Sequence, residues 1–105
     1  MKRYKFQALV TLGPPQDGGP AAMPGGQMRR LVLRGQRHGS GGSHFFSALV
    51  TKSNEPALWP DDNPVIMTIA VVGDDLREYF DVGDRFALWQ GTDLGRGVVT
   101  RRIFV

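Results

Sequence analysis

Apolar and polar residues alternate along most of this chain, a pattern typical of strands that bury only one face. In the first such segment, one parity holds Tyr4, Phe6, Ala8, Val10 and Leu12, and the other holds mainly polar residues. The same pattern predicts strands at 28–34, 44–51, 85–90 and 97–105. The nearly continuous apolar run at 65–72 predicts a strand buried on both faces.

The segments between these strands are rich in glycine and proline, which predicts turns and loops. Flexible loops are expected at 13–27 and 35–43, and a tight turn at 91–95, with Gly91 and Gly95 at positive φ. A helical signature occurs only at 74–80, where Asp75 and Glu78 have capping-box spacing. Either one helical turn, stopped near Gly83, or an irregular connection fits this segment.

Six strands with uneven loops and no long helix predict an all-β fold, a small closed or Greek-key antiparallel barrel of six strands. Closure would also remove the exposed edges of the sheet. The 105 residues suit a single domain, 1–105. No apolar run approaches the length of a membrane-spanning helix, and no signal peptide is recognisable. A cytoplasmic protein without a membrane partner is therefore expected.

The charges are unevenly distributed along the chain. Residues 1–52 hold eight Lys or Arg and one acid, whereas residues 53–105 hold five Arg and nine acids. This asymmetry permits a basic surface for a polyanion and an acidic surface for a basic partner. Because the strands of a barrel interleave, the asymmetry along the sequence need not survive as two surfaces.

The chain offers little for catalysis or for binding a metal or cofactor. It has no cysteine. His38 and His44 flank a glycine-rich segment and fit a metal site or a phosphate nest only weakly, since no acid completes a ligand set. The pairs Asp61-Asp62 and Asp74-Asp75 suit turns better than a cation site. No Ser/His/Asp arrangement with a nucleophile elbow occurs, so no enzyme, metal or cofactor is expected.

Basic residues cluster around the second strand, and one aromatic residue stands out near the last turn. The cluster can bind a phosphate backbone through its guanidinium groups. Alternatively, it is a solvated strand face whose charges oppose aggregation. Its members are Arg29, Arg30, Arg34, Arg37 and His38, and the four arginines are the predicted phosphate contacts. Trp89 has the parity opposite to Phe86 and Leu88. It is either an exposed interaction anchor or stacking platform, or it is covered by the first loop.

The segment DRFALWQGTDLGRGVV, residues 84–99, resembles the closing hairpin of the third domain of translation factors of the elongation factor Tu type. That hairpin has the pattern RFAxREGG, a short turn, and VGxGVV. The matching positions are Arg85, Phe86, Ala87, Leu88, Gly91, Gly95, Gly97, Val98 and Val99. Weaker matches extend over most of the chain. The resemblance implies a six-stranded barrel.

In that family the third domain helps to hold aminoacyl-tRNA and packs against a GTPase domain. The family's tRNA-contacting Glu-Gly pair falls on Gln90 and Gly91, and its Arg-His-Thr loop contact falls on Pro20, Ala21 and Ala22. No phosphate-binding loop GxxxxGK[ST] occurs in this chain. The resemblance implies a stand-alone, non-catalytic binding module for RNA, tRNA included. The alternative is a module that docks on a protein, such as a GTPase, or on itself.

Overall fold

The computed structural model describes residues 2–13, 30–36, 42–55, 64–89 and 93–103. Within these ranges it contains six strands and one short 3₁₀ turn. The strands are β1 (Lys2–Leu12), β2 (Arg30–Gln36), β3 (Ser43–Ser53), β4 (Val65–Gly73), β5 (Arg85–Trp89) and β6 (Asp93–Ile103), and the 3₁₀ turn is Leu76–Glu78. No helix in the described part of the chain is long and apolar enough to cross a membrane.

The six strands form a closed antiparallel barrel in the order β1-β4-β3-β2-β5-β6, with β6 pairing back onto β1. Strands β2, β3 and β4 follow one another as a meander, and β5 returns to lie beside β2, which is a Greek-key connection. The predicted fold, a small closed antiparallel barrel of six strands, is confirmed.

The barrel interior is filled by the inward parity of each strand. Phe6, Leu33, Met67, Ile69 and Leu88 are almost completely buried. The residues on either side of each of them in its own strand are less buried, as the alternation predicts. No polar or charged residue is buried within the described residues, so the interior has the composition of a packed core and not of an internal binding cavity.

An aromatic cluster closes one end of the barrel beneath the 3₁₀ turn. The Phe80 ring stacks on Phe6 with ring centroids 5.3 Å apart and meets Phe46 edge-on at 5.1 Å. The hydroxyl of Tyr4 donates a hydrogen bond of 2.8 Å to the carbonyl oxygen of Phe80. The connection between β4 and β5 is thereby fixed to β1.

The prediction that strand 65–72 is buried on both faces was wrong. In β4 the burial alternates, and Ile66 and Val72 are 41% and 49% exposed. A closed barrel without an outer layer buries only its inner face, so an apolar run can occupy a half-exposed strand. The outer neighbours of these two residues on β1 are Leu9 and Arg3.

Three details of the predicted connections were also wrong. Residues 35 and 36 belong to β2, and Ser43 belongs to β3, so the loop predicted at 35–43 is shorter at both ends. Strand β6 begins at Asp93 and not at 97. Gly95 therefore lies within the strand and lacks the positive φ expected of a turn residue. Loop 13–27 falls outside the described residues after Gly13.

Close packing, and not a positive φ, explains why glycine occurs at positions 95 and 97 of β6. A Cβ at Gly95 would collide with the carbonyl oxygen of Thr11 and lie 3.0 Å from the Cα of Leu12. A Cβ at Gly97 would overlap the ring of Phe86, which lies opposite it on β5. Both glycines thus let β6 fit between its neighbours, β1 and β5.

The predicted capping box is absent from the segment between β4 and β5. Asp75 precedes the 3₁₀ turn with φ 54°, in the left-handed region, and its side chain makes no capping hydrogen bond. The turn is held by its backbone, where the Glu78 N–H donates to the Asp75 carbonyl at 3.0 Å and the Tyr79 N–H donates to the Leu76 carbonyl at 3.1 Å. Of the two interpretations left open, the single helical turn is the one observed, in its 3₁₀ form.

Candidate nucleic-acid interface

A row of outward-facing positions crosses five neighbouring strands of the barrel. Each is the register partner of the next, in the order Phe45, Arg34, Ala87, Arg96 and Thr11. Adjacent strands lie about 4.8 Å apart, so the row extends roughly 19 Å around the barrel. It brings an aromatic ring and two guanidinium groups, from three distant parts of the sequence, onto one continuous surface.

Two aromatic side chains meet above β2 beside this row. Phe45 lies opposite Arg34 on one side of β2, and Trp89 lies opposite Val32 on the other. Their ring centroids are 4.9 Å apart with the planes tilted by 54°. Phe45 is 54% exposed and Trp89 is half-buried. The prediction that Trp89 has the outward parity is confirmed, and its partner is a residue that the sequence did not single out.

Arg34 makes a two-point ion pair with Asp93 across β5. Its Nε donates to Oδ1 of Asp93 at 3.1 Å, and its Nη2 donates to Oδ2 at 2.7 Å. These hydrogen bonds, more than the charge attraction, lower the pKa of Asp93 and raise that of Arg34. Asp93 therefore stays ionised, and the charge of Arg34 is neutralised locally.

The residues predicted for phosphate contact are placed as follows. Arg30 begins β2 and is exposed. Arg34 lies in the middle of the row but is paired with Asp93. Four other predicted site residues lie outside the described part of the chain, namely Arg29, Arg37, Gln90 and Gly91. The structure thus brings Arg30, Arg34 and Trp89 onto neighbouring strands.

A groove of about 340 Å³ adjoins the row on β1, β5 and β6. Arg85 and Arg96 line it together with the apolar side chains of Leu9 and Val98, and Pro64 completes it beside β4. No acidic residue is found among the groove-lining residues, and neither arginine has an ion-pair partner in the described ranges. Sequence reasoning had assigned Arg85 only as a family match and had not considered Arg96.

Half of the ten acids are concentrated in one connection. Five of them lie at 74–84, between β4 and β5, whereas Asp93 lies on β6 and pairs with Arg34. The first-half bases Arg3 and Lys5 lie on β1, beside Arg101 and Arg102 of β6. The two halves of the chain therefore do not form separate charged surfaces, because the second half contributes the arginines of β6, which pairs with the basic strand β1.

His44 is exposed on β3, where its ring lies 5.4 Å from that of Tyr79. No group of three or more His, Cys, Asp or Glu side chains suited to a metal ion occurs among the described residues. His38 and the Asp61-Asp62 pair are outside those residues.

Neither a scan against protein-family models nor a search of curated proteins finds a match to this chain.

Proposed function

We propose that this barrel is a non-catalytic binding module for single-stranded RNA, which it contacts through the outer face of β3, β2, β5 and β6. The observation that carries the proposal is the outward-facing pair of Phe45, which is exposed, and Trp89, which is half-buried, beside arginines on neighbouring strands. Proteins that bind single strands combine aromatic side chains, on which bases stack, with basic groups that follow the backbone.

The proposed roles follow from position. Phe45 and Trp89 stack with bases, since each base offers a π-face whatever its identity. Arg30 lies on β2, two residues from Val32, the partner of Trp89, and Arg96 lies on β6 opposite Ala87. Both arginines contact phosphates. Arg34 lies in the middle of the face, but its charge is paired with that of Asp93. Arg34 can therefore contact a phosphate only when Asp93 is displaced. Stacking without base-edge contacts would make the binding tolerant of sequence.

The resemblance to the third domain of elongation-factor-Tu-type translation factors supports an RNA partner and belongs to the same proposal. Transfer RNA is the natural structured candidate, and its single-stranded acceptor end would offer bases to the aromatic pair. A cytoplasmic location suits this role. These 105 residues contain no phosphate-binding loop, so any GTPase activity that takes part is supplied from outside them.

Docking on a protein is the second candidate, and the exposed aliphatic residues of the same face favour it. Leu49 and Val32 are 53% and 38% exposed and lie on the adjoining strands β3 and β2. Contiguous exposed apolar side chains mark interaction sites on many soluble domains. The two candidates differ in their dependence on salt, because phosphate contacts release counterions and aliphatic contacts do not.

Fluorescence anisotropy of a labelled single-stranded RNA, titrated with the domain at rising salt, tests the proposal. Two or three phosphate contacts give a slope of log affinity against log salt of roughly −1.4 to −2.1. Arg30→Gln is expected to reduce the slope by about 0.7, whereas Arg3→Gln, on β1 opposite β4, leaves it unchanged. Absence of RNA binding at low salt would reject the proposal and leave a protein partner as the leading candidate.

A further inference from the structure

The groove between β1 and β5 brings together two positive charges and an apolar surface. Arg85 lies opposite Val98, and Arg96 lies opposite Ala87. The two arginines are therefore diagonal neighbours on adjacent strands, with Cα atoms about 7–8 Å apart. The two like charges repel each other, and no described acid forms an ion pair with either of them. An anion held between them would remove this repulsion.

The two guanidinium groups favour a phosphomonoester over a carboxylate as that anion. Each guanidinium binds best in a two-point contact. A carboxylate has two oxygens and satisfies one such contact, whereas a phosphomonoester has three terminal oxygens and a charge near −2. It can therefore accept hydrogen bonds from both arginines at once.

The remainder of the groove suits the body of a nucleoside. Leu9 and Val98 are register partners on β1 and β6 and form an apolar surface beside the arginines. Apolar side chains of this kind can pack against the face of a base. Thr11 lines the groove and carries a hydroxyl able to donate or accept a hydrogen bond. The volume of about 340 Å³ lies at the lower end of the range for small-molecule sites.

We infer that this groove binds a nucleoside phosphomonoester, with the phosphate between Arg85 and Arg96 and the base against Leu9 and Val98. The ligand can come from two sources: a free mononucleotide, or the phosphorylated end of an RNA strand. The second source rests on the proposed function, because Arg96 is also a member of the row that RNA would follow. The first does not depend on it.

Titration of the ¹⁵N-labelled domain with AMP, adenosine and inorganic phosphate, followed by amide chemical shifts, tests the inference. AMP is expected to shift the amides of Arg85, Arg96 and Val98 with saturation, and to bind more tightly than either adenosine or phosphate. Arg85→Gln should weaken AMP binding about tenfold or more, since it removes a charged hydrogen-bonding partner. Arg101→Gln is the matched control, because Arg101 is an exposed arginine of β6 that does not line the groove.

RNA oligonucleotides with and without a terminal phosphate then distinguish the two sources. If the domain prefers the phosphorylated strand and Arg85→Gln abolishes this preference, the groove binds the phosphorylated ends of RNA strands. AMP binding without such a preference assigns it to free nucleotides. AMP binding in the absence of any RNA binding would reject the proposed function but would still support a nucleotide-binding groove. Failure of AMP to shift these amides, or equal binding by Arg85→Gln and the wild type, would overturn the inference.

Discussion

Arg34 and Asp93, which are 59 residues apart in the sequence, form a two-point ion pair across β5 in the middle of the proposed RNA-binding face. The pair neutralises the guanidinium group of β2 that lies next to Phe45 of β3. A carboxylate at this point also repels phosphate. The pair is thus expected to limit the affinity of the face for RNA.

Replacing Asp93 with Asn should therefore strengthen RNA binding. The change frees Arg34 and removes a negative charge, and one added contact worth about 0.5–1 kcal/mol corresponds to about threefold in affinity. The loss in the free energy of unfolding should stay below about 1 kcal/mol, because the pair is solvent-exposed. RNA titration and urea unfolding measure the two effects.

Glu55→Gln is the matched control for Asp93→Asn. It makes the same change in net charge at an exposed position just after β3, away from the row. An equal gain in both variants would mean that only net charge matters, which would contradict a specific role for the Arg34–Asp93 pair.

The second prediction concerns Gly97 and Phe86, which face each other on β6 and β5. Gly97→Ala places a Cβ in the Phe86 ring, with Cε1 only 2.7 Å away, and should lower the free energy of unfolding by about 1–3 kcal/mol. Phe86→Leu removes the ring that obstructs this Cβ. Phe86→Leu should therefore lower the free energy of unfolding clearly less in the Gly97→Ala background than in the wild type. The coupling energy between the two substitutions should be about 1 kcal/mol. Strictly additive effects in a double-mutant cycle would contradict this packing account.

The third prediction concerns alkaline pH and Tyr4. Burial, the largest influence, raises the pKa of Tyr4 above its usual value of 10.0. Because the folded state holds the phenol proton more tightly than the unfolded state, this contribution to stability is complete below about pH 10. It is lost as the pH rises through the folded-state pKa. Tyr4→Phe should cost about 1 kcal/mol at neutral pH by removing the hydrogen bond to Phe80.

Urea unfolding of both proteins between neutral pH and about pH 11 checks this prediction. The wild type should lose its advantage over Tyr4→Phe as the pH rises above about 10. A difference that stays constant through this range would show that Tyr4 does not titrate differently in the folded and unfolded states.

The barrel could be predicted from the sequence because burial on one face imposes a period of two on each strand. Phe6, Leu33 and Leu88 show this directly, with exposed or half-exposed neighbours on both sides. The same rule could not identify the half-exposed strand β4. A run of apolar residues does not indicate whether another layer of the protein covers its outer face, where Ile66 and Val72 lie.

The candidate site was only partly predictable. Arg30, Arg34 and Trp89 were singled out by charge and parity, which are local properties. The pairing of Arg34 with Asp93, and the groove between Arg85 and Arg96, depend on which strands are neighbours. The tight turn predicts that β5 and β6 are neighbours, but the pairings of β2 with β5 and of β6 with β1 join distant segments and follow only from the closure of the whole barrel.

Stacking of bases on Phe45 and Trp89 is the central claim, and the affinity of the double variant Phe45→Ala/Trp89→Ala for single-stranded RNA tests it most directly. Each stacked base is worth about 1–3 kcal/mol, so the variant should bind at least about tenfold more weakly at fixed salt. Its amide spectrum should remain that of a folded barrel, since both residues lie on the outer face. Val72→Ala, which removes an exposed apolar residue from β4, should bind as the wild type does. Unchanged RNA affinity in a folded Phe45→Ala/Trp89→Ala variant would contradict the account.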